Sequence, residues 1–253
     1  MYFMLKLNTC INKKKEVFIE MEHFRVYKSP YTKVRLGKNY DGGYIVCDSY
    51  GDYDFFLSGG IGDDLSFEGD LLNKYPNLTG VAFDGTVDSK DFELFHPRLQ
   101  IVQKNIGSVD NDRVTNFYTY FEKYNDIFMK MDIEGGEVDF FSTLTDKNLL
   151  KIKQLVIEIH SADEINILSR LSKTHWLIHF HANNCCGTKE VNGVIVPNVY
   201  ECTYIRKQDL CETPAFNTNN IPDATLDQRN LEHKAEIEIT WPPFVHKLTH
   251  LTH

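Results

Sequence analysis

The sequence has no long hydrophobic run and no basic stripe, and these absences exclude two classes of protein. None of the apolar stretches in its 253 residues approaches the roughly 20 residues that a membrane-spanning helix needs. The formal net charge is −9, and the one basic run is the three lysines at residues 13–15. Because a nucleic-acid backbone is bound by clustered positive charge, we predict no membrane span and no nucleic-acid partner.

The six cysteines show no C-x-x-C spacing, which argues against a standard structural zinc site. Cys185 and Cys186 are adjacent, and neighbouring cysteines rarely pair with each other. The apolar residues at 1–7 precede the lysine cluster instead of following it, which is the wrong order for a secretory signal. We therefore expect reduced thiols and a cytoplasmic location.

From residue 53 onward, short apolar runs alternate with helical patterns. Such alternation is typical of α/β proteins, in which helices cover a mostly parallel sheet. The predicted parallel strands lie near 53–58, 79–84, 99–104, 127–132 and 154–159, and the predicted helices near 66–75, 110–122, 136–144 and 162–173. Two further predicted strands, near 176–180 and 199–206, close the sheet as an antiparallel pair.

The first 50 residues predict an extension in front of this domain. Apolar positions at helical spacing indicate a helix over 13–27. Alternating residues over 33–37 and 43–47, on either side of an Asn-Tyr-Asp-Gly turn, predict a β-hairpin. We therefore divide the chain into an N-terminal extension, 1–50, and a main domain, 51–253, whose C-terminal part forms a loop on the substrate side.

A glycine turn after the first predicted strand of the main domain is the most informative segment. It contains Gly60 and Gly62, a helix start follows it, and the next predicted strand ends on Asp84. This arrangement binds adenosine-containing cofactors, and the terminal acid accepts hydrogen bonds from the ribose hydroxyls. A dinucleotide fingerprint requires a third glycine, where this chain has Leu65.

Two acids, Asp63 and Asp64, occupy the position that a pyrophosphate would have to approach. Their charge would repel a pyrophosphate, whereas it suits the ammonium and sulfonium groups of S-adenosylmethionine. The segment therefore predicts an S-adenosylmethionine site. A glycine turn that binds no ligand is the alternative.

Polar residues end the next two parallel strands, with Asp132 after the fourth and Glu158 and His160 on the fifth. Because the carboxyl ends of the strands face the ligand crevice, we expect Asp132 near the transferred methyl group and His160 beside it. Either His160 acts as a general base, or Asp132, Glu158 and His160 hold a divalent metal that acidifies an acceptor hydroxyl. We favour the metal-free route, because no third carboxylate stands at the spacing of an oxygen-rich site. Glu137, in the following helix, is interpreted as a partner of the helix dipole.

The sixth predicted strand ends in a polar rim. His179 and His181 lie on one side of that strand, and Asn183 and Asn184 begin the next loop. Imidazole and short amide groups can hydrogen-bond the hydroxyls or the phosphate of an acceptor. We predict His181 as a further catalytic residue, and Asn183 and Asn184 as acceptor-binding residues.

A series of short motifs covers residues 33 to about 206. They are Arg35-Leu36-Gly37, Asp41-Gly42-Gly43-Tyr44, the glycine turn with Ser66-Phe67-Glu68, Ala82-Phe83-Asp84, Lys130-Met131-Asp132-Ile133-Glu134-Gly135, Ile157-Glu158-Ile159-His160, His181-Ala182-Asn183-Asn184 and Pro197-Asn198-Val199-Tyr200-Glu201-Cys202-Thr203-Tyr204. Together they resemble the FkbM-like branch of class I S-adenosylmethionine-dependent methyltransferases. The doubled glycine Gly135-Gly136 departs mildly from the Glu-Gly-Ala/Ser pattern of that family.

The resemblance implies a Rossmann-like class I methyltransferase domain, with a mostly parallel seven-stranded sheet and helices on both faces. It implies that the glycine turn binds the methionine part of S-adenosyl-L-methionine, that Asp84 binds the ribose, and that the Asn105-Ile106 pair meets the adenine. Carried over by position, the cofactor-binding residues are Gly59, Gly60, Gly62, Asp63, Asp84, Asn105, Ile106 and Asp132, and Arg35, Tyr44 and Glu134 join the acceptor-binding residues.

The resemblance also implies the reaction, which is methylation of a hydroxyl on a small-molecule acceptor. The favoured acceptor is a sugar or sugar-nucleotide precursor of a surface or capsular polysaccharide. A phosphorylated or amine-bearing metabolite is the first alternative, since Arg35, Lys104 and the polar rim could hold a phosphate. A non-catalytic scaffold protein that binds a nucleoside is the second alternative.

Overall fold

The computed structural model describes residues 21–88, 95–160 and 165–247. In chain order its strands are β1 (Lys33–Leu36), β2 (Tyr44–Cys47), β3 (Phe55–Gly59), β4 (Gly80–Phe83), β5 (Leu99–Val102), β6 (Asn105–Ile106), β7 (Val114–Thr115), β8 (Ile127–Met131), β9 (Ile152–Ile159), β10 (His175–Ala182), β11 (Thr188–Val191), β12 (Val194–Pro197) and β13 (Tyr200–Arg206). The helices are α1 (Ser66–Lys74), α2 (Tyr118–Lys123), α3 (Glu137–Thr143), α4 (Asp146–Leu149) and α5 (Ile165–Thr174), with short 3₁₀ turns at Glu22–Phe24 and Lys207–Asp209.

Seven strands form the central sheet in the order β5-β4-β3-β8-β9-β13-β10. The strands β3, β4, β5, β8 and β9 pair in parallel, and β13 runs antiparallel to both β9 and β10. Numbered along the chain, this order is 3-2-1-4-5-7-6 with the seventh strand reversed. It is the Rossmann-like sheet of class I methyltransferases, so the predicted fold class is confirmed.

The central sheet separates two apolar layers. Alternate residues of β3 point to opposite faces, and Phe56 packs in a buried cluster with the hairpin residue Val46 and the α1 residue Leu71. On the other face, Leu57 belongs to a larger cluster that includes Phe140 of α3 and residues of α5 and the C-terminal segment. The hairpin β1–β2 therefore covers the sheet directly. Among the residues that the structure describes, no helix combines the length and apolarity needed to cross a bilayer.

All seven predicted strands of the sheet are present, with ends that shift by at most two residues. The predicted helix over 110–122 is wrong, because only Tyr118–Lys123 is helical and Val114–Thr115 is extended. The side chain of Asn111 accepts hydrogen bonds from the amides of Arg113 and Val114, at 2.9 and 3.0 Å. Such a side-chain turn competes with helical hydrogen bonding and keeps the chain out of a helix.

Two other differences concern short elements. The predicted N-terminal helix lies outside the described residues over 13–20, and over 21–27 it is wrong, since only a 3₁₀ turn forms there. The hairpin β11–β12 was not predicted, although its turn is Asn192-Gly193, both with positive φ. An Asn-Gly pair between alternating residues is a strong hairpin signal.

The thiol prediction is wrong for the adjacent cysteines. Cys185 and Cys186 form a disulfide in the loop after β10. Cys47 and Cys202 are free and buried, and Cys211 is free and exposed. Cysteine chemistry therefore gives no support to the predicted cytoplasmic location.

Candidate active site

A cavity of about 380 Å³ opens at the carboxyl ends of β3, β4 and β8. It lies beside β3, where the strand order of the sheet reverses, which is the usual ligand crevice of an open α/β sheet. Its volume falls within the range of small-molecule sites. The lining includes Gly60, Gly62, Asp63, Asp84, Asn105, Ile106, Asp132, Glu134 and Tyr44, so the structure brings together most of the residues that the sequence assigns to cofactor and acceptor.

Steric space or backbone conformation favours glycine at each of the three glycine positions of the turn. A Cβ atom on Gly60 would overlap the carbonyl oxygen of Asp132, and one on Gly59 would overlap Cδ1 of Ile106. Gly60 and Gly62 have φ angles of +74° and +51°, which larger residues rarely adopt. A Cβ atom on Gly62 would meet nothing within 4 Å, so the backbone at this position faces open space in the cavity.

Asp84 holds the glycine turn from the neighbouring strand. One carboxylate oxygen accepts hydrogen bonds from the amides of Ile61 and Gly62, at 3.0 and 2.9 Å. The other oxygen accepts from the amide and hydroxyl of Thr86, at 2.7 and 2.6 Å. Burial alone would raise the pKa of Asp84, but the hydrogen bonds from Thr86, Gly62 and Ile61 hold this pKa below its usual value. Asp84 is therefore ionised at neutral pH and fixes the shape of the turn.

The other cofactor-side residues also lie at the cavity. Asn105 and Ile106 follow β5 and line the wall of the cavity. The side chain of Asn105 fills the space beside Gly85. Asp63 is exposed at the mouth. Leu65, in the place of a third glycine, is only 4% exposed and packs with Ile61. Its side chain belongs to a buried apolar cluster with Ala82 and is not among the residues that line the cavity.

The cavity lining is acidic, with seven Asp or Glu residues and three lysines. Each lysine has a partner within the chain. Lys38 pairs with Asp64 at 3.3 Å, and Lys104 donates to the carbonyl of Asn111 at 2.6 Å. Lys130 is buried and donates to the carbonyl of Gly60. An excess of carboxylates over lysines favours a ligand that carries positive charge.

At the far end of the cavity, Asp132 and His160 lie on neighbouring strand ends, as predicted. The hydroxyl of Tyr44 donates to Oδ2 of Asp132 at 2.7 Å. His160 Nε2 lies 3.7 Å from Asp132 Oδ1, 3.7 Å from Glu158 Oε2 and 3.3 Å from Glu134 Oε2. This group of acids around His160, which we call the carboxylate–histidine cluster, borders the cofactor cavity through Asp132 and Glu134.

Glu137 stands in the first turn of α3, as predicted, and also completes this cluster, which the sequence analysis did not anticipate. Its side chain is fully buried, and Oε1 lies 3.1 Å from His160 Nδ1 and accepts from the amide of Ile133 at 3.2 Å. Glu137 therefore orients His160, in addition to standing in the first turn of α3. The available signal was its position six residues after the end of β8, in the first turn of the helix that follows a polar strand end.

The acids change the protonation of His160. Burial alone would lower the pKa of His160, but its hydrogen bond to Glu137 and the charges of Glu158, Glu137 and Asp132 raise this pKa to about 9. The pKa of Glu158 is raised well above its usual value by burial and by the charges of Asp132 and Glu201. The surrounding acids therefore favour the protonated imidazole, which is a weaker general base than neutral imidazole unless another cation replaces the proton.

His181 lies deeper than the cavity and is 1% exposed. Its Nδ1 is 3.3 Å from Glu201 Oε2, and its Nε2 is 3.4 Å from Glu236 Oε2. Glu201 pairs in register with both His181 and Glu158, so a row of buried ionisable groups crosses β9, β13 and β10. The structure therefore connects His181 to the carboxylate–histidine cluster through the sheet and not through the cavity.

Three predicted acceptor-binding residues have their polar groups engaged within the chain. Asn183 donates to Glu158 Oε1 at 2.7 Å. Asn184 donates to the carbonyls of Leu231 and Lys234, which anchors the C-terminal segment. Arg35 donates to the carbonyls at residues 38 and 40 and braces the hairpin turn. These contacts organise the site from behind, and an acceptor role for them stays a prediction.

No protein-family model and no curated protein sequence matches the chain. Solved structures with a similar fold include precorrin-6y C5,15-methyltransferase from Geobacter metallireducens GS-15, which is 12% identical over 61% of this chain and 82% of that one, with a TM-score of 0.37. Sp1610 from Streptococcus pneumoniae, in complex with S-adenosyl-L-methionine, is 13% identical over 62% and 68%, with a TM-score of 0.35. The mitomycin 7-O-methyltransferase MmcR is 13% identical over 61% and 49%, with a TM-score of 0.32. Similarity at this level carries no argument about activity or substrate.

Proposed function

We propose that the protein is an S-adenosylmethionine-dependent methyltransferase that methylates a hydroxyl of a small molecule. The observation that carries the proposal is the cavity at the strand-order reversal, which joins the glycine turn at one end to Asp132 at the other. A cofactor bound along the glycine turn would then present its reactive end to the carboxylate–histidine cluster. The class I methyltransferase sheet, which the strand order establishes, supports the same reading.

The acidic lining supports S-adenosylmethionine over a dinucleotide. Asp63 and Asp64 stand beside the open position at Gly62 and line the cavity. A pyrophosphate would meet like charge there, whereas an ammonium or sulfonium group would meet opposite charge. In this proposal Asp84 receives the ribose hydroxyls in exchange for its exposed contacts with Thr86, and the remaining cofactor roles follow the predicted residues.

The reaction places the acceptor beside the carboxylate–histidine cluster. S-adenosylmethionine held along the glycine turn would supply an activated methyl group to an acceptor oxygen at this position, with S-adenosylhomocysteine as the leaving group. The proton of the acceptor hydroxyl passes to the carboxylates around Asp132. Tyr44 fixes Asp132 through its 2.7 Å hydrogen bond, so the carboxylate is already oriented before the acceptor binds.

Within this proposal we retain a sugar or sugar-nucleotide precursor of a surface polysaccharide as the acceptor. The alternative of a phosphorylated acceptor gains no support, because Arg35 and Lys104 are committed to carbonyl groups of the chain. An amine-bearing acceptor would suit the acidic site and remains the competing candidate. The non-catalytic alternative predicts cofactor binding without turnover.

Transfer of a labelled methyl group tests the proposal. The protein is incubated with methyl-labelled S-adenosylmethionine and a panel of neutral sugars, sugar nucleotides, sugar phosphates and small amines. We expect label in a product with a methylated oxygen. Label only in methylated amines would favour the competing acceptor class. Binding of the cofactor without transfer to any member of a broad panel would favour the scaffold.

A further inference from the structure

The carboxylate–histidine cluster contains three atoms that converge on one point. They are Nε2 of His160, Oδ1 of Asp132 and Oε2 of Glu158, with the nitrogen 3.7 Å from each oxygen. These three residues each offer one ligand atom within 4.8 Å of the other two. Two ligands that are each about 2.1 Å from one ion can be up to about 4.2 Å apart, so a single ion spans the separations at His160.

The second polar atom of each of these side chains is already held by another residue. Nδ1 of His160 is 3.1 Å from Glu137, Oδ2 of Asp132 accepts from Tyr44, and Oε1 of Glu158 accepts from Asn183. In Asp132 and Glu158 the remaining oxygen is the one that lies 3.7 Å from the remaining nitrogen of His160. Metal ligands are oriented in this way, through hydrogen bonds from residues behind them. Three separate hydrogen-bonding partners are more than would be expected if these side chains met only because their strands end at the same edge of the sheet.

The charge of the cluster leads to the same conclusion. Four carboxylates, from Asp132, Glu134, Glu137 and Glu158, lie within 3.7 Å of a nitrogen of the one imidazole. His160 can carry at most one positive charge, and Glu137 and Glu158 are buried. Buried carboxylates are stabilised by pairing or by coordination of a metal ion.

We propose that Asp132, Glu158 and His160 bind a divalent cation of the Mn²⁺ class. Two carboxylate oxygens and one imidazole nitrogen form a donor set suited to Mn²⁺, Fe²⁺ or Zn²⁺. Glu134 is exposed and 3.3 Å from His160, so its side chain can supply a further oxygen. The sequence-based preference for a metal-free route rested on the lack of a third carboxylate at suitable spacing, and the carboxylate of Glu134 lies 3.3 Å from His160 Nε2. The role of the ion rests on the proposed function: it would bind an acceptor hydroxyl next to the cofactor and lower the pKa of that hydroxyl.

Binding of Mn²⁺ to the full chain tests the site without any turnover. Calorimetry on protein stripped with EDTA should show one Mn²⁺ per chain, and Glu158→Gln should weaken that binding at least tenfold. The glutamine keeps the volume of the side chain and an oxygen for Asn183. Asp139→Asn, which removes one exposed acid of α3 outside the cluster, should leave Mn²⁺ affinity unchanged. Equal Mn²⁺ affinity of wild type and Glu158→Gln would overturn the proposal.

A second measurement applies if the variant does not fold. Pulsed electron paramagnetic resonance of Mn²⁺ bound to the wild-type protein should show coupling to an imidazole nitrogen. Absence of that coupling, or of any Mn²⁺ binding at millimolar concentration, would also overturn the metal site. Binding of S-adenosylhomocysteine is measured separately in EDTA. A protein that binds the cofactor but not Mn²⁺ would contradict the metal site alone, and the reverse result would contradict the proposed function alone.

Discussion

Replacement of Asp84 by alanine probes the link between the glycine turn and the cofactor. The change removes the four hydrogen bonds that the carboxylate accepts from Ile61, Gly62 and Thr86. It also removes the group that we expect to receive the ribose hydroxyls. The turn would lose its support from β4 while the sheet beneath it stays packed.

The magnitude follows from these contacts. A hydrogen bond to a charged group is worth about 1.5–3 kcal/mol, but the released amides near Gly62 can bind water instead. We therefore expect the free energy of unfolding to fall by only about 1–2 kcal/mol. Affinity for S-adenosylhomocysteine should fall at least about tenfold, or ~1.4 kcal/mol, because both the ribose contact and the shape of the turn are affected.

Calorimetric titration with S-adenosylhomocysteine measures the affinity, and urea denaturation measures the stability. Asp54→Ala is a matched control, because Asp54 also accepts two backbone hydrogen bonds, both at 3.2 Å, but at the opposite end of β3. That variant should lose stability and keep its affinity. If Asp84→Ala binds S-adenosylhomocysteine as well as wild type does, the cofactor is not where we place it.

Two further perturbations test the turn and the buried polar row. Gly60→Ala should abolish measurable cofactor binding, because its Cβ would overlap the carbonyl of Asp132, whereas Gly187→Ala, also at positive φ but with open space around it, should bind normally in the same titration. Burial alone would lower the pKa of His181, but its close contacts with Glu201 and Glu236 raise this pKa to about 10. Its stabilising contribution is therefore complete below pH about 6.5 and is lost as the pH rises to about 10. In urea denaturation, the stability difference between wild type and His181→Gln should shrink across that range, and a constant difference would refute the assignment.

The sheet could be predicted from the sequence because its strands carry their signal locally. Residues 127–131, for example, are buried throughout and apolar at every position except Lys130, as is typical of a central parallel strand. The predicted helix near 110–122 failed because one side chain, Asn111, decides the backbone there, and periodicity does not register a side-chain turn. The Asn192-Gly193 hairpin could have been predicted and was overlooked.

The residues of the candidate site could be predicted only in part from the sequence, for a different reason. The strand ends identified Asp132, Glu158 and His160, since the carboxyl ends of neighbouring parallel strands meet at one edge. The partners that orient these groups come from distant segments: Tyr44 is 88 residues from Asp132 and Asn183 is 25 from Glu158. No local pattern encodes such pairings, so the sequence identified these three residues but not the contacts that orient them.

Calorimetric titration of the wild-type chain with S-adenosylmethionine and, separately, with NAD tests the central claim most directly. The account predicts that one S-adenosylmethionine binds per chain and that NAD gives no measurable heat, because the acids beside Gly62 repel a pyrophosphate. Binding of NAD in preference to S-adenosylmethionine, or no binding of S-adenosylmethionine at millimolar concentration, would contradict the account.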